Sequence, residues 1–175
     1  MVAGLWTGVA AQSPAGPTME ETRAWLESDG RDLMRVSRLQ TDPIRLILST
    51  SEERVDTMTL NACTLSWRLV RMASSSGRGR VTPTTTITTD VILMLQDVGG
   101  VTVEPDTFQT DTPVAKIRFA IRQPTLSTQS INNDNPAVIK AASLPAQTTD
   151  DGQRIANAVK RAMVLCVGAP ATGVF

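Results

Sequence analysis

Histidine and tyrosine are absent from this chain of 175 residues, and lysine occurs only at Lys116, Lys140 and Lys160. Without histidine there is no Ser-His-Asp or Cys-His arrangement and no HExxH metal site, and the commonest general base near neutral pH is missing. No GxxxxGKS/T loop occurs either: Gly77-Arg78-Gly79-Arg80 lacks the lysine that a phosphate loop requires. The paired carboxylates Glu20-Glu21, Glu52-Glu53 and Asp150-Asp151 fall in predicted first helical turns, where acids complement the helix dipole. The expectation is a protein that is not an enzyme, with no cofactor, no metal and no small-molecule substrate.

Aromatic residues are also scarce. Only Trp6, Trp25, Trp67, Phe108, Phe119 and Phe175 occur, so the core must be mostly aliphatic. Cys63 and Cys166 have no CxxC partner and sit in apolar patterns, which predicts buried free thiols and, with them, a reducing compartment. No apolar run reaches the roughly 18 residues that cross a bilayer, so no membrane partner is expected. Met1 to Pro17 carry no charge and are punctuated by Gly4, Gly8, Pro14, Gly16 and Pro17. They lack the basic n-region of a secretory signal and read as a flexible arm. A single domain over 18–168 and a tail over 169–175 complete the expected organisation.

What is present is a set of helix signals. Thr18 and Glu21 have capping-box spacing, which predicts a helix from Met19, with Trp25, Leu26, Leu33, Met34, Val36 and Leu39 at helical steps and a division at Ser28-Asp29-Gly30. Thr50 and Glu53 repeat the spacing, and Met58, Ala62, Leu65, Leu69 and Met72 follow at three- and four-residue steps, predicting a second helix. A Ser/Gly loop should run from Ser74 to Pro83, and a further helix from about Thr86 to Val98. Ile44 to Leu48 fits a strand or a helical turn equally. Val101, Val103 and then Lys116 to Arg122 alternate with period two, so Ile117, Phe119 and Ile121 should face a core while Lys116, Arg118 and Arg122 form a basic row. Thr149 should cap a last helix with Ile155, Val159, Ala162 and Cys166 inward. The fold predicted is a mainly α-helical, bundle-like domain with a minor β element, the alternative being an α+β fold with a larger antiparallel sheet.

Net charge is zero, yet charge comes in blocks. Residues 57–89 carry Arg68, Arg71, Arg78 and Arg80 with no acid, and 90–111 carry five acids with no base. Residues 112–133 then carry Lys116, Arg118 and Arg122 with no acid. Arginine presents a planar fork of donors to phosphate, so these seven cations are the candidate nucleic-acid-binding residues. The same blocks could instead pair within the fold, or pair basic face to acidic face between copies.

The uncharged ends, twenty-three threonines with twelve serines, and the preference for arginine over lysine resemble coat or nucleocapsid subunits of RNA viruses. Asp42-Pro43-Ile44 ahead of a long helix is similar to coat proteins of rod-shaped plant viruses. A basic strand followed by a C-terminal helix and the tail from Ala169 to Phe175 resembles the single-stranded RNA phage coat. The resemblance implies a self-assembling subunit, partnered by its own copies and by single-stranded RNA, in a virion and, during assembly, the host cytoplasm. The alternative is a soluble bacterial interaction or regulatory module without nucleic acid, whose charge blocks pair internally.

Overall fold

The computed structural model describes residues 16–42, 44, 47–77, 80–106, 114–122 and 126–168. Apart from Gly16 and Pro17, the expected arm and the tail lie outside them. At the first helix the sequence is followed closely: the Thr18 N–H donates to Glu21 Oε2 at 2.7 Å and the Glu21 N–H to Thr18 Oγ1 at 3.2 Å. This box opens α1, Met19–Trp25, which passes into a π-helical turn at Leu26–Gly30.

After α1 the helical expectation fails. The chain forms β1 (Arg35–Asp42), β2 (Ile47–Asn61), β3 (Thr64–Gly77), β4 (Arg80–Val81), β5 (Thr85–Met94), β6 (Val98–Asp106), β7 (Val114–Ile121), β8 (Thr128–Ile131), β9 (Ala137–Val138) and β10 (Ala141–Ala146), and ends in α2 (Thr149–Gly168). Among the described residues there are ten strands and two α-helices, so the protein is mostly antiparallel sheet and not a helical bundle. The helix expected over Thr50 to Met72 is instead the hairpin of β2 and β3, turning at Ala62 with φ of 49°. Met58 and Leu60 share one face with Leu65, Trp67 and Leu69, because the turn restores the phase. Period two on both sides of a two-residue turn therefore imitates steps of three and four. Abundant threonine and valine favour the pleated state. The helix expected over Thr86 to Val98 is β5 followed by a 3-10 turn at Leu95–Asp97, and Val36 and Leu39 lie in β1.

Seven strands form one sheet in the order β1-β2-β3-β5-β8-β9, with β4 paired to β3 beyond the end of β5. Three form a second sheet, β10-β7-β6. In β7 the expected alternation holds: Ala115, Ile117 and Phe119 are buried beside Val101 of β6 and Ala142, Leu144 and Ala146 of β10. Helix α2 covers this face with Ile155, Ala156, Val159 and Ala162, all fully buried. Its cap is Thr148, one residue before the expected Thr149: Thr148 Oγ1 accepts from the Asp151 N–H at 3.1 Å. Close helix–sheet approach requires Gly152, where a Cβ would lie 2.9 Å from Val103 Cγ1.

On the large sheet the core face is completed by Val55, Met58, Leu60, Leu65, Trp67, Val91 and Leu93, with Trp67 and Phe119 ring centroids 5.8 Å apart. Cys63, in the β2–β3 turn, and Cys166, in the last turn of α2, form a disulfide with Cα atoms 5.6 Å apart. The expected free thiols are therefore paired, and the reducing compartment inferred from them loses its basis. The turn that sequence periodicity concealed is what brings Cys63 against the helix end.

The interior position of α2 makes a direct test. Val159→Asp places an unpaired charge in the core and is expected to cost more than about 2 kcal/mol in denaturant unfolding. A change within about 0.5 kcal/mol would put Val159 at the surface.

Candidate functional site

Between the two sheets runs a chain of four charged side chains. Glu53 of β2 lies opposite Arg71 of β3 in the antiparallel register, and Arg38 of β1 approaches it from the other side. Arg71 Nε donates to Glu53 Oε1 at 2.7 Å and its Nη2 to the same oxygen, while Arg38 Nη1 donates to Glu53 Oε2 at 2.8 Å. The second terminal nitrogen of Arg38 donates to Asp106, at the end of β6 in the small sheet. A single buried carboxylate thus has both oxygens occupied by guanidinium groups, and one of those groups bridges to the other sheet. Burial alone would push the Glu53 carboxyl up, but its hydrogen bonds to Arg38 and Arg71 and their charges outweigh burial and hold it below its ordinary value.

Lys116 stands beside this network. With Arg38, Ser51, Glu53, Arg71 and Asp106 it lines a cavity of about 280 Å³, and its ammonium has no hydrogen-bond or ion-pair partner among the described residues. A larger cleft, about 710 Å³, lies between the facing sides of the sheets, with Arg71 on one wall and Lys116 and Arg118 on the other.

The seven candidate cations are not gathered in one place. Arg71, Lys116 and Arg118 meet at the cleft, where Arg118 Nε is 3.4 Å from Glu104. Arg68 projects from the opposite face of the large sheet and grips Asp90 of β5 with two bonds of 2.7 and 3.1 Å. Arg122 lies past the end of β7 and donates to the Gly99 carbonyl at 3.3 Å. Arg80 lies in β4, paired in the backbone with Gly77; nothing is described of its side chain, and Arg78 is outside the described residues. Ser74, Ser75 and Ser76, expected in a loop, belong to β3.

Arg68 and Arg71 have no acid near them in sequence, yet both are neutralised by the strand beside them. Antiparallel register brings Asp90 opposite Arg68 and Glu53 opposite Arg71, so the acidic and basic blocks meet within one chain. Arg38 is not among the expected site residues, and Glu53 is expected only as an acid of a first helical turn. The alternation of β1 and β2 could have revealed them, since Arg38 and Glu53 share a face only if both segments are strands. Compared with protein-family models, with curated proteins and with solved structures, the chain matches none.

Replacing Glu53 by glutamine leaves two guanidinium groups facing a neutral amide and is expected to cost about 3–5 kcal/mol. The wild-type contribution of Glu53 is present above its unfolded pKa of about 4.3 and is lost as pH falls through the lower folded value. Melting temperatures from neutral to strongly acidic pH should therefore drop more steeply in the wild type than in Glu53→Gln. Parallel curves would remove Glu53 from the network.

Proposed function

We propose that the chain is a self-assembling coat or nucleocapsid subunit that packages RNA through non-specific arginine–phosphate contacts. The observation that carries this reading is a wing of the large sheet that runs past its core. In β2 no residue from Ile47 to Glu52 is buried, and in β3 none from Arg71 to Gly77. At about 3.3 Å per residue these stretches extend roughly 20 Å. Large apolar side chains stand on the wing and at its tips: Leu39 is 56% exposed, Leu48 41%, Val81 79% and Ile44, in the turn before β2, 89%. Leu48 lies opposite Thr41 and Ser76, and Ser76 opposite Val81, so Leu48 and Val81 belong to one end of the sheet, with Ile44 in the turn beside them. A contact with further copies of the chain covers that surface, and among the described strands β1 is an edge of the large sheet.

For RNA, Arg68, Arg71 and Arg118 each remain about half exposed while sharing their guanidinium with one acid. Phosphate oxygens compete with those carboxylates for the same donors. The internal pairing also favours a second reading, a soluble bacterial interaction or regulatory module without nucleic acid. Purified protein decides between them: large particles with a nucleic-acid absorbance ratio support the coat, and a small, nucleic-acid-free species supports the module.

Within the coat reading, Leu48→Asp combined with Val81→Asp should yield a folded, small species in place of particles, read by light scattering and circular dichroism. Particles unchanged by both charges would remove the wing from assembly. Arg78→Gln with Arg80→Gln should weaken single-strand binding across all sequences and flatten the logarithmic salt slope by about 0.7 per lost phosphate contact. An intact slope with damaged assembly would assign these two arginines to a contact between subunits.

A further inference from the structure

The small sheet has an apolar face and an open, charged one, on which Arg118 is 61% and Glu104 48% exposed. Helix α2 takes the apolar one, and the other, carrying Lys116 and Arg118, faces the inner surface of the large sheet across the 710 Å³ cleft. That volume falls within the range of small-molecule sites, roughly 300–1,000 Å³. Its walls differ in chemistry: Leu69, Ile87, Val91 and Ile131 on the large sheet, and the charged row on the small one. Trp67 and Phe119, in contact, close one end, and Arg71 lies four residues further along β3, about 13 Å at strand rise.

The donors of the cleft include one charged group and one buried group without a partner. The Lys116 ammonium has no partner among the described residues. The indole Nε1–H of Trp67, whose side chain lines the cleft and is only 3% exposed, has no acceptor. Among the described residues that line the cleft and its adjoining cavity stand four cations, Arg38, Arg71, Lys116 and Arg118, and three carboxylates, Glu53, Glu104 and Asp106. One positive charge is left over, at the residue that lacks a partner.

We propose that this cleft binds an amphipathic monocarboxylate, with its head on Lys116 and its apolar body against Leu69, Ile87 and Val91. A monoanion balances the single surplus charge, whereas a dianion would leave one negative charge uncompensated. An oxygen carried on the apolar body would give the Trp67 N–H an acceptor, because a buried donor left unpaired is costly. The proposal is separate from the coat reading and does not depend on it; the ligand is held and not turned over.

Calorimetric titration of the full chain tests it, with decanoate as probe against decanol and decyltrimethylammonium. One decanoate per chain is expected, at least tenfold tighter than decanol, with no binding of the cation. Lys116→Gln should weaken decanoate at least tenfold while Lys116→Arg retains it, and Ile87→Trp, which fills the cleft, should abolish it at an unchanged melting temperature. Absence of decanoate binding, equal affinity for decanol, or indifference to Lys116→Gln would overturn the proposal. Displacement of decanoate by single-stranded RNA would give the cleft to RNA, and loss of binding only in assembled particles would give it to a second copy. Either result overturns the carboxylate site and leaves the coat reading standing.

Discussion

Glu53 is the constraint on which the arrangement of the two sheets rests. A carboxylate buried this far is tolerable only with its oxygens occupied by charged donors, and β1 and β3 each supply one. Both donors depend on register. A slip of one residue between β2 and either neighbour would move Arg38 or Arg71 to the opposite face and leave the charge buried alone. The pair therefore specifies alignment as well as contributing energy. Because Arg38 also holds Asp106 of β6, the same carboxylate fixes where the small sheet docks. The Trp67–Phe119 contact fixes the docking a second time, some 13 Å along β3, and the space between these ties is the cleft.

Legibility in the sequence followed the range of the forces involved. The capping box of Thr18 and Glu21, the alternation of β7 and the stripe of Ile155, Val159, Ala162 and Cys166 are satisfied within one element, and each was readable. The β2–β3 hairpin was not, although its alternation is present, because a phase change at Ala62 and Cys63 converts two period-two runs into what resembles one helical stripe. Thr50 and Glu53 then supplied a capping-box spacing by coincidence. In sequence Glu53 therefore has the position of a helix-dipole acid, while its actual role depends on strands on either side of it. The disulfide was hidden for the same reason, since Cys63 and Cys166 are 103 residues apart and only the hairpin turn brings them together.

Charge blocks illustrate the difference between sequence distance and sheet distance. A block of arginines with no acid for tens of residues reads as an unneutralised patch, and for a helix it would be one, because helical neighbours lie three or four residues away. In an antiparallel sheet the neighbours of Arg68 and Arg71 are set by hairpin geometry: Asp90 lies 22 residues on and Glu53 18 residues back. Alternating blocks along the chain thus become opposite charges side by side across strands. Net charge of zero is the expected sum of such pairing. It also identifies Lys116 as distinct: its register partner Glu104 is the acid that Arg118 approaches, leaving the ammonium over.

The wing and the cleft place opposite demands on the same sheet. Where the small sheet and α2 cover it, the large sheet is held by apolar burial and by the Glu53 network; beyond that boundary β2 and β3 retain paired backbones, and none of their residues there is buried. A lone strand pair is marginal in water, and several strands need a covered apolar face for independent stability. The wing escapes that limit because β2 and β3 are each continuous across the boundary, so its register is imposed from the covered half. What covering would add there is stability for Leu39, Ile44, Leu48 and Val81, which one chain leaves between 41% and 89% exposed. On the proposed coat reading, that unmet burial is the driving force for assembly, and its position at the end of the sheet farthest from α2 leaves the folded core undisturbed when copies join.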